Sequence, residues 1–320
     1  MRAVWERRVV QCDNLTKSRW RLANRRREGK VMVSFDTSDI DLTGQVAVVT
    51  GGGRGLGRAM AQALAAAKAS VAVVARTTTQ LAETVDTIRE TGGRVLAVPA
   101  DVTDHKALET MVRTVQDELG AVDLLVNNAG VPGVPGPIWE VDPEEWRHTL
   151  DVNLTGAFLC GAAVLKTMVA RQHGRIINVA SGAGLVPIAY GSAYAVSKAA
   201  LLRLTECFAA DGKEHGIIAF SLGPGSVRTA MTEYLIESEA GQTYLPWYRK
   251  MILDGGDVPA NLSANLVVLL ASGKMDSLSG RFVEVFDDTD QMILESAQIV
   301  QDDLYTLRLG KLPRDGSTGS

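Results

Sequence analysis

Val46-Ala47-Val48-Val49-Thr50-Gly51-Gly52-Gly53-Arg54-Gly55-Leu56-Gly57 decides how the rest of the chain is read. Its first five residues are a continuous valine-rich run, the pattern of a strand covered on both faces in a parallel sheet. Arg58–Ala69, directly after it, is alanine-rich and a strong helix former. Glycines between a strand and a helix permit a tight turn. There, backbone N–H groups and the helix N-terminus can meet a pyrophosphate. Gly51, Arg54, Gly55, Leu56 and Gly57 are therefore candidate dinucleotide-binding residues.

The alternation continues outward from this turn. Short apolar runs at Val71–Ala75, Arg94–Pro99, Val122–Asn127, Arg175–Ala180, Ile217–Leu222 and Arg281–Phe286 read as further strands. Leu81–Glu90, His105–Leu119, a long stretch from Pro143 to Gln172, Ala193–Lys213 and Pro259–Ala271 read as helices, with Pro143 suited to a helix start. The pattern predicts an α/β fold, a single Rossmann-type doubly wound parallel sheet of about seven strands with helices on both faces. No composition break divides residues 39–288, which are taken as one domain. Residues 225–257 interrupt the rhythm and mix Tyr234, Tyr244, Trp247 and Tyr248 with charges. They follow the sixth strand, where ligands enter such sheets, and read as a substrate lid rather than a loop that only packs on the surface.

The bulk properties exclude several classes. The 320 residues are 46% apolar and 22% charged, an ordinary globular balance. A formal net charge of −4 gives no global reason to expect nucleic acid or an anionic membrane as a partner. Uninterrupted apolar runs such as Asn265 to Ala271 are shorter than a bilayer span. Cys12, Cys160 and Cys207 are scattered and in no CxxC pattern. Neither a disulfide framework nor a metal site is expected, and a cytoplasmic setting fits best. Residues 1–38 form a basic extension, with ten Arg/Lys against three acids in residues 1–31. It reads as a disordered arm, or as upstream sequence ahead of a start at Met32. A targeting presequence would be Arg-rich too, but this stretch lacks the Ser enrichment and apolar core of such signals.

In dinucleotide sites an acid about 20 residues beyond the glycines binds the ribose 2′-hydroxyl of NAD. Here that count reaches Ala75, followed by Arg76. A guanidinium suits a 2′-phosphate, and Arg54 could supply a second cation. Both arginines could instead be solvated surface charges. The missing acid favours NADP(H) over NAD(H). Asp101 and Val102, after the third strand, can reach an adenine with a carboxylate and a backbone N–H. Asn127-Asn128-Ala129-Gly130 closes the fourth strand with small residues that let the chain pass near the nicotinamide ribose. An Asn pair there could also only cap a loop.

Tyr194 and Lys198 are spaced i, i+4 on one helix face, thirteen residues after Ser181. A phenol with an ordinary pKa near ~10 needs a neighbouring cation to work as an acid near neutral pH. Taken with TGxxxGxG at Thr50–Gly57, NNAG at Asn127–Gly130 and Pro224-Gly225, this constellation resembles the short-chain dehydrogenase/reductase family over residues 40–286. The resemblance implies that Tyr194 protonates the substrate oxygen, Ser181 orients it, and Lys198 tunes Tyr194 and holds the nicotinamide ribose. It further implies that Asn153 helps hold a water that relays protons to the Lys. Pro224, Val227 and Thr229 would cup the nicotinamide amide. The resemblance also implies a small-molecule ketone or alcohol substrate and a homo-oligomer, dimer or tetramer, joined through the helices near 143–172 and 193–213. A non-catalytic dinucleotide-binding sensor or scaffold, and an epimerase, are the competing readings. Tyr190 could line the pocket or simply pack.

The C-terminus departs from the family pattern. Asp287-Asp288-Thr289 stands where relatives end in Asp-Gly-Gly, and residues 289–320 follow. Met292, Ile293, Ile299, Val300, Leu304 and Leu307 fall close to helical spacing and predict one amphipathic helix. Pro313–Ser320 is polar and expected to fray.

Overall fold

The computed structural model describes residues 35–309. The N-terminal arm through residue 34 and the polar tail from residue 310 lie outside the described residues. The apolar runs become β1 (Val46–Thr50), β2 (Ser70–Ala75), β3 (Val95–Pro99), β4 (Leu124–Asn127), β5 (Gly174–Val179), β6 (Ile217–Gly223) and β7 (Phe282–Glu284). They lie in the order β3-β2-β1-β4-β5-β6-β7, and every neighbouring pair is parallel. Strand order therefore reverses between β1 and β4, and a crevice opens outside their carboxyl ends. This is the expected doubly wound Rossmann-type α/β sheet.

Helices cover both faces. On one side α1 (Gly55–Ala66), α2 (Thr78–Glu90) and α10 (Ala260–Ala271) close a core around Val49, Met60, Leu64, Val73 and Leu266. On the other, α3 (His105–Glu118), α5 (Gly156–Arg171) and α6 (Ser192–Gly212) close a second core around Val48, Leu108, Leu125, Val164 and Ile176. Parallel strands buried on both faces explain why β1 and β2 read as nearly unbroken apolar runs.

The expected long helix from Pro143 is α4 (Pro143–Leu150) running through a π-turn, Asp151–Thr155, into α5. Asp142 caps it by accepting from the Glu144 N–H, and Pro143 occupies its first turn. The whole stretch, Pro143–Arg171, has 29 residues and a mean hydropathy of 1.5, enough by length and composition to cross a bilayer. Short uninterrupted runs had hidden that property. In this fold its apolar face, with Cys160, Val164 and Met168, is spent on the sheet.

A polar chain runs through the middle of the sheet. Asn127 donates to Asn178 Oδ1 at 2.9 Å, Asn178 donates to Thr205 Oγ1 at 2.8 Å, and Ser221 donates to the same oxygen at 2.7 Å. It joins β4, β5, β6 and α6 beneath the crevice. Buried bonds of this kind contribute about 1 kcal/mol each, whereas an orphaned partner costs about 1–3 kcal/mol.

After β6 come three short helices, α7 (Ala230–Glu237), α8 (Glu239–Tyr244) and α9 (Pro246–Leu253). Ile236, Met251 and Ile252 give them a small core of their own, with Tyr248 packed against it. A bridge between Val227 and Val258, with Val258 N–H donating to Ser226 O at 2.8 Å, closes the segment at its base.

The single C-terminal helix expected from the spacing of Met292 to Leu307 is not formed. Two short helices replace it, α11 (Thr289–Leu294) and α12 (Ser296–Gln301), broken at Glu295. Asp303 and Tyr305 then take positive φ, and the chain continues unwound. Tertiary bonds explain the break. Tyr305 O accepts from the Phe282 N–H on β7, while Leu307 is held by Glu206 and Arg203 of α6.

Candidate active site

Every candidate residue except Asn153 and Tyr190 lines one cavity at the carboxyl end of the sheet. Its volume is about 1220 Å³, larger than the roughly 300–1,000 Å³ of pockets that take one small ligand. One end is the Gly-rich turn. Thr50 Oγ1 accepts from the Asn128 and Ala129 N–H groups at 3.0 and 3.1 Å, and Asn128 Nδ2 donates to Thr50 O at 2.9 Å. The two strand ends flanking the crevice are thus stitched together.

At Gly57 the backbones meet so closely that an added Cβ would lie 2.3 Å from Gly51 O and 2.5 Å from Asn128 Nδ2. The first turn of α1 receives no side-chain cap from Arg54. Its N–H groups are left for a ligand, on a wall made of Gly51, Gly53, Arg54, Gly55, Leu56 and Gly57. A glycine-rich cradle, ending in an uncapped helix start, fits a dinucleotide pyrophosphate. Arg76 and Asp101 stand further along the same wall, 3.7 Å apart as an ion pair. Asp101 Oδ1 also accepts from Thr103 N and Oγ1, and the surrounding hydrogen bonds and the Arg76 charge hold its carboxyl below the usual range despite partial burial.

The catalytic candidates converge from β5 and α6. Ser181 follows β5 and accepts from the Ala183 N–H at 3.1 Å, which folds the next residues into a tight turn. Gly184 in that turn lies against α6, where an added Cβ would meet the Lys198 and Ala199 backbone at 2.8–2.9 Å. Ser181 and Tyr194 are hydrogen-bonded. Lys198 Nζ lies 5.7 Å from the centroid of the Tyr194 ring and donates to Val179 O, at the end of β5, at 2.7 Å.

The electrostatics differ from the expectation drawn from the Tyr–Lys pair. Burial pushes the Tyr194 phenol up to about 12, with the Ser181 hydrogen bond pulling the other way. Burial also pushes Lys198 down to about 8. The ammonium, engaged with a carbonyl and set off from the phenol, does not outweigh the loss of water around both groups.

Asn153 sits one layer behind the cavity wall, in the π-turn. Its Nδ2 donates to Val131 O at 2.9 Å and Ser197 Oγ at 3.0 Å, and its Oδ1 accepts from the Val131 N–H at 2.8 Å. Both side-chain N–H groups are spent on pinning the loop after β4 to α6, so the side chain has no N–H left for a relay water. Tyr190 is absent from the wall. Its ring packs on Tyr244 with centroids 5.2 Å apart, which decides for the packing role.

Sequence reading missed several contributors. Arg58 Nη2 donates to Gly53 O at 2.7 Å and Thr84 Oγ1 donates to Gly52 O at 3.1 Å, drawing the loop carbonyls toward α2. The apolar walls Val131–Pro135 and Leu185–Ile188, with Met231, Leu235 and Met251, were also unassigned. The Val-Pro-Gly-Val-Pro run after β4 was their one legible sign, an apolar loop at the ligand-binding edge.

The short chain dehydrogenase family model matches residues 45–240. A short chain dehydrogenase of Pseudocercospora fijiensis is 34% identical over 286 residues, covering 85% of this chain and 91% of its own length. The crystal structure of a gluconate 5-dehydrogenase from Burkholderia cenocepacia, in complex with NADP and tartrate, matches with a TM-score of 0.68 and 30% identity. It covers 77% of this chain and 94% of that one. An actinorhodin polyketide ketoreductase with NADPH matches with a TM-score of 0.69 and 29% identity, over 75% of this chain and 95% of that one.

Replacing Gly57 with Ala forces the Gly-rich turn and the loop after β4 apart. The expected result is a dinucleotide affinity at least about tenfold weaker and a loss of roughly 1–3 kcal/mol of stability, read by fluorescence titration and denaturant unfolding.

Proposed function

The chain belongs to the short-chain dehydrogenase/reductase family, and on that premise we propose that it reduces a ketone or 3-oxoacyl-type carbonyl, or oxidises the matching secondary alcohol, with NADP(H) preferred over NAD(H). The observation that carries this reading is the convergence of Ser181, Tyr194 and Lys198 on one wall of a cavity whose other end is the glycine cradle. The dinucleotide, when bound, supplies or accepts the hydride. Gly51, Arg54, Gly55, Leu56 and Gly57 would hold its pyrophosphate, and Arg76 the 2′-phosphate, with Asp101 and Val102 beside the adenine. Asn128, Ala129 and Gly130, with Pro224, Val227 and Thr229, would hold the nicotinamide half together with Lys198.

In reduction Tyr194 gives its proton to the carbonyl oxygen, and Ser181 holds that oxygen by a hydrogen bond. Lys198 carries the positive charge that offsets the phenolate formed in the step. Asn153 serves as a positioning residue, keeping the loop at Val131 against α6. Neighbours that carry NADP or NADPH support the cofactor preference, as does the lack of an acid at the end of β2, where Ala75 and Arg76 stand. Phe158 and Val196, exposed on α5 and α6, support a homo-oligomer joined there. The two cysteines among the described residues, Cys160 and Cys207, are both free, in keeping with a cytoplasmic setting.

Tyr194→Phe is expected to lower turnover by about a hundredfold to ten-thousandfold while dinucleotide affinity stays near that of the parent chain. Full activity in this variant would end the proposal. Arg76→Ala should raise the KM for NADPH by about ten- to a hundredfold and leave that for NADH nearly unchanged, as initial rates with both cofactors would reveal.

The pH dependence follows from the two buried groups. Tyr194 stays protonated up to about 12, whereas Lys198 loses its charge as pH rises through about 8. Reductive kcat/KM should therefore be level below that pH and fall above it. Lys198→Arg keeps a charge that does not titrate, so the alkaline fall should vanish from whatever activity remains. Its persistence there would assign the ionisation to another group.

A further inference from the structure

The charges on the cavity wall are distributed very unevenly. Arg54, Arg76 and Lys198 are the cationic residues among those lining it. The two arginines belong to the glycine cradle and the end of β2, at the dinucleotide end. Lys198 is held by Val179 O. The part that faces Tyr194 from the lid and from the loops after β4 and β5 is apolar, with Val134, Val186, Ile188, Met231, Leu235 and Met251. The ionisable groups near this half besides tyrosines are acids, Asp257, Glu284 and Asp287. Tyr248, a polar residue of this half, is occupied by hydrogen bonds with Thr232 and Ser226.

A carboxylate or phosphate entering here would lose its water, and Lys198, already held by Val179 O, is the one cation near it among the described lining residues. An apolar ring or chain loses nothing and covers apolar wall, and methionine side chains adapt to its outline. Resting on the oxidoreductase reading above, we infer that the substrate is a neutral ketone, or the matching secondary alcohol, with an apolar ring or alkyl body. Acidic carbonyl compounds are rejected.

The test is calorimetric titration of the NADP-loaded protein with tetralone, its carboxylated derivative and a keto-sugar acid. Turnover of each is followed in parallel by NADPH absorbance. Tetralone should bind at least about tenfold more tightly than either acid. In Met231→Lys, which places a cation on the apolar wall, the gap to the carboxylated derivative should narrow. Equal or tighter binding of an acid, or no binding by any of the three, overturns the assignment. If tetralone binds preferentially but no NADPH is consumed, the neutral apolar pocket stands and the reductase reading falls, so the two failures are separable.

Discussion

Thr50 Oγ1 accepts the N–H groups of Asn128 and Ala129 together, and Asn128 returns a hydrogen bond to Thr50 O. These contacts sit at the point where strand order reverses, and both halves of the cavity are referenced to them. On one side the glycine turn must bend at once, because Asn128 Nδ2 fills the space next to Gly57. On the other the chain leaves β4 toward Val131, where Asn153 takes hold of it. A hydroxyl with two acceptor sites and one proton is suited to this junction. Valine, equal in shape, would leave the Ala129 N–H without its partner and the Asn128 N–H with Val126 O alone.

The same logic of local shortage organises the catalytic side. α6 brings Tyr194 and Lys198 to the wall, but their depth is set by the Ser181–Gly184 turn, which fits only because Gly184 has no side chain facing α6. Depth then governs proton affinity. Loss of water around both groups raises the phenol and lowers the ammonium. The phenol and the ammonium, nearly equal in proton affinity in water, are thereby driven apart, and the phenol holds its proton the more tightly of the two.

Much of this was legible in the letters. Val46–Thr50 and Ile217–Leu222 could be read as strands because burial on both faces leaves no room for polar alternation. Tyr194 and Lys198 could be paired because helix geometry makes i+4 a neighbour. Features that depend on tertiary contact were hidden. The π-turn at Asp151–Thr155 has no compositional mark, and it directs Asn153 behind the wall instead of toward the crevice. The break at Glu295 reflects bonds from Tyr305 and Leu307 to β7 and α6, partners remote in sequence. Tyr190 looked able to serve either role until its ring was seen to face Tyr244.

The bridge between Val227 and Val258 gives the three lid helices a narrow neck and a private core. Substitutions on their cavity-facing side are therefore paid for locally, within that small cluster, and leave the two main cores untouched. Such an attachment would let the lid's share of the cavity wall be refitted by exchanging a single peptide segment, with the sheet left as it is.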